Sequence, residues 1–404
     1  MRPPSSQNNR PALLVAWAVL IACLPATLIS ASAPSHAYFG TGIVYLLPPA
    51  DGTSWITLAP TGDFAAGVTY EEHTVTLNLW DLRNIDPFGE LGQIPPAYTQ
   101  KLPILSQTIA VVFSTDGRLL VVQTASELRL LRVPDLQLVQ SVATTGPAPW
   151  PFTPTWSSDG ELLATLAQEG QEIVVWDRQT DQRDQYLFEH TYDRVYPFGE
   201  QWLIASTTAQ NKSTFALCSK QLEWCVQYPG MGYVVAVAEQ RQLVVTERQG
   251  DIFHTQLVIG AWSPRADGIL LLNEQKFVDF PRASIRSFSP DEQFFAAQTA
   301  DGLLVWDFDT LEPVHQLLLG DWGPVWLSEK FVVAGGYLPE SGKSALFLHS
   351  LNQEEALDRL TIDTTGLDDF ILPEAFGLAA SSANGRWLLF NLGRGALLIP
   401  IVYE

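Results

Sequence analysis

SFSPDEQFFAAQTADGLLVWDFDT, residues 287–310, gathers acidic groups around a tryptophan. Read as chemistry, it suggests a carboxylate site. Read as structure, it is an apolar run, an Asp-containing turn, a second apolar run, a polar turn and a third run ending in Trp306-Asp307. The same order recurs elsewhere. Phe113 begins FSTDGRLLVVQTASELRLLRV, Trp156 begins WSSDGELLATLAQEGQEIVVWDR, and Leu58 begins LAPTGDFAAGVTYEEHTVTLNLWDL. Asp-Gly suits the positive backbone angles of a tight hairpin, so turn chemistry and strand pattern agree. Self-similar units in tandem mark a repeat architecture.

On these residues, and on the endings Trp80-Asp81, Trp176-Asp177 and Trp306-Asp307, the chain resembles the WD-repeat propeller family from residue 41 to 404. The resemblance implies an all-β fold, a single β-propeller of four-stranded antiparallel blades with strands a to d from the axis outward. Weaker copies stand at 195–200 with QWLIAST, 233–239 with QLVVTE, 324–327 with KFVVAGG and 375–384 with RWLLFNL. They bring the count to eight units of about 45 residues, with seven as the alternative. The last copy stops in a strand c, ALLIPIVYE, and GIVYLLP precedes the first strand a. Residues 43–47 are therefore expected to pair beside 397–402 as the missing outer strand and close the ring. The family's Gly-His pair before strand a is absent; EHTYDRV at 189–195 comes nearest. The tryptophans at 80, 176 and 306 are expected to pack between blades, Asp307 to receive turn hydrogen bonds, and Asp291 and Asp301 to sit in hairpin turns.

With 47% hydrophobic and 17% charged residues the chain can bury a large core and is too apolar for disorder. Its net charge of -21 repels phosphate backbones and anionic bilayer surfaces. That excludes nucleic acid as a partner, and leaves membrane attachment only to the N-terminal segment.

Residues 1–37 are polar and basic, then apolar (PALLVAWAVLIACLPATLIS), then small (ASAPSHA), the layout of a secretory signal. Ser35 and Ala37 favour a cut before Tyr38. Leu20-Ile21-Ala22-Cys23 also resembles a lipoprotein lipobox, with Cys23 lipidated, and the apolar stretch is long enough for an uncleaved anchor. All three readings place the propeller, 38–404, outside the cytoplasm. There an isolated pair such as Cys218 and Cys225 is expected to form a disulfide across strands c and d of the fourth blade.

The chain holds no Gly-rich phosphate loop, G-x-S-x-G elbow or H-E-x-x-H motif. No two of its six histidines are spaced as a metal pair, and no cofactor is expected. NIDPFGE, 84–90, lacks the ligands of a calcium loop; Asp363, Asp368 and Asp369 form an acidic loop; Asn211-Lys212-Ser213 matches a glycosylation acceptor. Two functions compete: a non-enzymatic extracytoplasmic scaffold that binds a protein partner, as a member of a membrane-associated assembly or alone, and an extracytoplasmic lyase, hydrolase or quinoprotein-like dehydrogenase. Axial strands such as IAVVFS, YVVAVA and PVWLS are too apolar for a converging polar site and favour the scaffold. The d-to-a connections are rich in aromatics and arginine, side chains that dominate interfaces. The expected partner face is Trp55, Trp150, Phe152, Tyr192, Arg194, Tyr233 and Trp322, centred on Trp150, Tyr192, Arg194 and Trp322.

Overall fold

In this computed structural model the described residues are 37–40, 44–46, 53–71, 74–89, 92–103, 110–124, 126–144, 153–205, 214–229, 233–238, 241, 243–249, 254–264, 270–281, 284–299, 302–317, 325–338, 343–352, 356–361, 377–391 and 396–403. Cys23, the acidic loop at 363–369 and the acceptor at 211–213 lie outside them. No described helix is long and apolar enough to cross a membrane.

The described strands form eight sheets. Blade 1 runs outward through Thr53–Leu58, Phe64–Glu71, Thr74–Asp81 and Tyr98–Pro103. From first to last strand, blade 2 extends from Ala110–Phe113 to Leu138–Ala143, blade 3 from Thr155–Trp156 to Arg183–Leu187, and blade 4 from Arg194–Phe198 to Cys225–Pro229. Blades 5, 6 and 7 extend from Tyr233–Ala238 to Leu270–Pro281, from Ser284–Phe288 to Pro313–Leu317 and from Val325–Leu327 to Ala356–Thr361. Blade 8 has Gly377–Ser381, Trp387–Asn391 and Ala396–Tyr403, and its fourth strand is Val44–Leu46 from the other end of the chain. The strand nearest the axis in blade 1 lies beside those of both blade 2 and blade 8, so first and last blades are neighbours.

The closing strand lies where expected, but against the start of the last strand only: Val44 opposite Leu398, Tyr45 opposite Leu397, Leu46 opposite Ala396, while Ile401 and Val402 pair with Phe39 and Tyr38 instead. Two additions reinforce it. Gly92–Ile94, from the c-to-d connection of blade 1, pairs in parallel with the free edge of Val44–Leu46. Ala37–Phe39 pairs with the end of Ala396–Tyr403, Ala37 opposite Tyr403, so the first described strand starts one residue before the expected cut. An exposed edge becomes a covered one.

The a-to-b hairpins of blades 2, 3 and 8 share one hydrogen-bonded turn. In blade 2 the Ser114 hydroxyl donates to Asp116, whose Oδ1 accepts the Arg118 N–H at 3.1 Å. Ser157 with Asp159 repeats this in blade 3, and Ser382 with Asn384 in blade 8, while Asp291 accepts the Gln293 N–H in blade 6. Glycine follows where φ is positive and the previous blade comes close. A Cβ on Gly117 would meet Thr61 Oγ1, one on Gly160 Thr115, and one on Gly62 the Trp387 ring at 2.9 Å. These contacts run from blade 8 to blade 1, 2 and 3 in one unbroken series.

Trp80 and Trp176 are 0% and 1% exposed, and the half-buried Trp306 stacks on Phe295 at 6.2 Å. The aspartates after them accept backbone N–H groups of the c-to-d turn: Arg83 on Asp81, Gln179 and Thr180 on Asp177, Asp309 and Thr310 on Asp307. In the opening stretch Asp291 and Asp307 are turn caps, Glu292 and Asp309 bond Arg241, and Asp301 lies outside the described residues. Cys218 and Cys225 face each other on strands c and d of blade 4 and are joined by a disulfide. So short a loop gains about 2 kcal/mol in the chain-entropy account.

Candidate functional site

The structure redistributes the expected partner face. Tyr192 is only 1% exposed: its ring meets Phe188 edge-on at 4.8 Å, inside the core between blades 3 and 4, and its hydroxyl lies 3.3 Å from Gln227 Oε1. It packs the blade interface and offers no ring to a partner. Arg194, half-buried, opens strand a of blade 4, and Trp55 and Tyr233 lie in the innermost strands of blades 1 and 5 instead of in connections. The side chains of Trp55 and Tyr233, and all of Trp150, Phe152 and Trp322, lie outside the described residues. In NIDPFGE, Asp86 Oδ1 accepts the Phe88 N–H at 2.9 Å, a local turn bond.

A cavity of about 400 Å³ opens at the other end of the ring, between blades 8 and 1. Strands alternate in direction, so a-to-b and c-to-d turns share this end, opposite the d-to-a connections. The blade 8 turn contributes Asn384, Arg386 and Trp387. Blade 1 contributes Gly62 and Asp63 from its a-to-b turn and Leu82, Arg83 and Ile85 from the c-to-d connection that also supplies the clasp strand. Tyr403 closes the rim; its hydroxyl donates to the Gly385 carbonyl at 2.9 Å, and burial pushes its pKa up to about 12.

The charges at this seam differ from those at its counterparts. Between blades 3 and 4, Asp159 of the a-to-b turn pairs with Lys220 of the next blade's c-to-d turn. Burial alone would raise the Asp159 pKa, but hydrogen bonds from Lys220, Ser157 and the Glu161 N–H outweigh it and hold the carboxyl at about 2. Between blades 2 and 3, Asp116 is likewise held low: burial is outweighed by the Ser114 and Arg118 hydrogen bonds and the field of Arg178. Between blades 5 and 6 the signs invert, with Arg241 on Asp309 at 2.6 Å. At the seam of blades 8 and 1 the turns bring Arg386 and Arg83, as those of blades 2 and 3 bring Arg118 and Arg178, but without the acid. Arg83 is held by its own neighbour Asp81 at 2.5 Å and lies over Phe64. Arg386 makes no ion pair among the described residues. Asn384 stands where the turns of blades 2, 3 and 6 carry Asp; its Oδ1 accepts from Ser382 and the Arg386 N–H, which leaves its amide N–H₂ as a donor.

Sequence spacing also missed a histidine pair. His315, on strand d of blade 6, and His349, on strand c of blade 7, are each 7% exposed, with rings 5.8 Å apart. Neither ring nitrogen of His349 has a hydrogen-bond partner, and burial, then the nearby His315, lowers its pKa to about 4.

No protein-family model and no curated protein matches the chain. Among solved structures, the Dos1 propeller superposes with a TM-score of 0.53 at 12% identity, covering 91% of this chain and 94% of its own. The fold is a β-propeller. The chain is also similar to the β-propeller domain of Myceliophteria thermophila Cps50 (Swd1), at TM-score 0.45 and 16% identity over 73% of this chain and 96% of that one. Dihydro-heme d1 dehydrogenase NirN, in complex with DHE, gives 0.48 and 16% over 78% and 67%.

Proposed function

We propose that this propeller is a non-enzymatic scaffold of the WD-repeat type, working outside the cytoplasm, whose partner is a protein anchored in the cavity between blades 8 and 1. The observation that carries the reading is the seam's charge arrangement: Arg386 and the Asn384 amide line the cavity as unused donors, at the position where the turns of blades 2 and 3 carry Asp116 and Asp159. An arginine that a partner desolvates is a common anchor of protein interfaces, and Arg386 is exposed here beside the half-buried Trp387. Location rests on the N-terminal segment and finds support in the Cys218–Cys225 disulfide. A cut near Ala37 leaves Tyr38 and Phe39 free to keep their pairing with Val402 and Ile401.

The test is capture of native partners from envelope extract by wild type and by Arg386→Ala. Loss of a buried charge-assisted contact costs about 1.5–3 kcal/mol, so the variant is expected to retain less than a tenth of the captured protein. Undiminished capture by the variant refutes the cavity as anchor.

A further inference from the structure

We propose that the cavity between blades 8 and 1 recognises the C-terminal residue of a partner chain, taking its free carboxylate on Arg386 and Asn384. The inference rests on the functional reading above and specifies the ligand.

Three features point to an anion. The two turns that meet across the cavity carry Arg386 on one side and Arg83 on the other, and the acid that pairs with Lys220 at the seam of blades 3 and 4 is replaced by the neutral Asn384. Asn384 keeps the acceptor oxygen that the turn needs and substitutes an N–H₂ donor for the charge that Asp116 and Asp159 bear in the same turn. A guanidinium and an amide N–H₂ on neighbouring positions of one turn form a donor set for a carboxylate's two oxygens. Arg83 remains committed to Asp81 through two side-chain hydrogen bonds and supplies field more than contact.

Two further features select a chain terminus over an isolated acid. Asp63, whose carboxylate accepts no hydrogen bond among the described residues, lines the same cavity. It would repel a second carboxylate but accepts an N–H, and a terminal residue carries an amide N–H two bonds from its carboxylate. The cavity of about 400 Å³, with Trp387 and Ile85 half-buried in its wall, holds one residue and not a folded segment. A free N-acyl amino acid shares this chemistry; a peptide adds backbone beyond the rim.

The probe is acetyl-Gly-Gly-Ala-Leu with a free carboxylate, titrated into the exported protein while the side-chain resonances of Asn384 and Arg386 are followed. The comparison ligands are the same peptide as its C-terminal amide, acetyl-Leu, and the fully capped acetyl-Gly-Asp-Ala-Leu-amide. The free acid is expected to shift both resonances and to bind about tenfold more tightly than the amide or the capped acidic peptide, with affinity falling as salt rises. Asn384→Asp and Arg386→Gln are each expected to lower its affinity by about tenfold, and each keeps the turn's backbone bonds. Equal binding of acid and amide overturns the proposal, as does preference for the capped acidic peptide or indifference to both substitutions. Binding of acetyl-Leu as tight as that of the tetrapeptide reassigns the cavity to a small acid and likewise overturns a terminus as its ligand. If Arg386→Ala abolishes protein capture while no peptide distinguishes acid from amide, the cavity remains the anchor and only the terminal carboxylate is refuted.

Discussion

Leu46→Asp is expected to prevent the protein from folding. Leu46 is fully buried, in a cluster with Ile56, Leu58, Trp80, Leu389 and Leu398 that joins blades 8 and 1, and it sits on the three-residue strand that closes the ring. A carboxylate there must be desolvated or protonated, at a cost above about 4 kcal/mol, which is a large part of a domain's net stability. The strand has partners on both sides, so its loss also frees the edges of Ala396–Tyr403 and Gly92–Ile94. Leu46→Ala, which leaves a void without a charge, should cost about 3 kcal/mol and still give a folded protein. Circular dichroism melts of the three proteins check this. A Leu46→Asp protein that is soluble and melts within a few degrees of wild type would mean that the ring holds without its closing strand.

The second large effect is a loss of stability in acid that His349→Leu removes. Burial and the neighbouring His315 hold the His349 imidazole at about 4, whereas in the unfolded chain it titrates near its ordinary 6.5. Between those values the unfolded state takes up a proton that the folded state refuses. The stability from this group is therefore fully present above pH 6.5 and is lost as the pH falls toward 4. A displacement of that size corresponds to about 2–3 kcal/mol. Wild type should lose that much more stability than His349→Leu between pH 7 and 4.5, measured by urea unfolding at both values. Parallel losses in the two proteins would place the acid sensitivity elsewhere.

Much of the fold was legible because the turns announce themselves. Ser-Thr-Asp-Gly and Ser-Ser-Asp-Gly write out their own hydrogen bonds, and a strand missing at one end of the chain matches a surplus strand at the other. The clasp Gly92–Ile94 escaped notice since three residues with a glycine carry no alternation to read. Tyr192 was misjudged for a related reason: flanked by His190, Thr191 and Asp193 it looks like surface, yet its ring turns into a core assembled from two other stretches. The cavity joins residues near 62 and 386, and the histidine pair joins 315 and 349; no local pattern reports such distances. One signal was visible at the site. Ser-Ala-Asn-Gly-Arg departs from the Ser-x-Asp turns by one atom's charge, and that change acquires meaning once the structure sets Arg386 and Arg83 at the same cavity.

Asn384→Asp tests the central claim most directly, because it restores the carboxylate that the turns of blades 2, 3 and 6 carry. Asp can accept from the Ser382 hydroxyl and the Arg386 N–H as Asn384 does, and it adds a negative charge at a cavity lined by two arginines. The unliganded variant should therefore melt no lower than wild type, with a gain of up to about 0.5 kcal/mol for an exposed pair, while capture of the native partner falls to less than a tenth. If Asn384→Asp captures its partner as well as wild type does, the empty acid position between blades 8 and 1 is not a binding site.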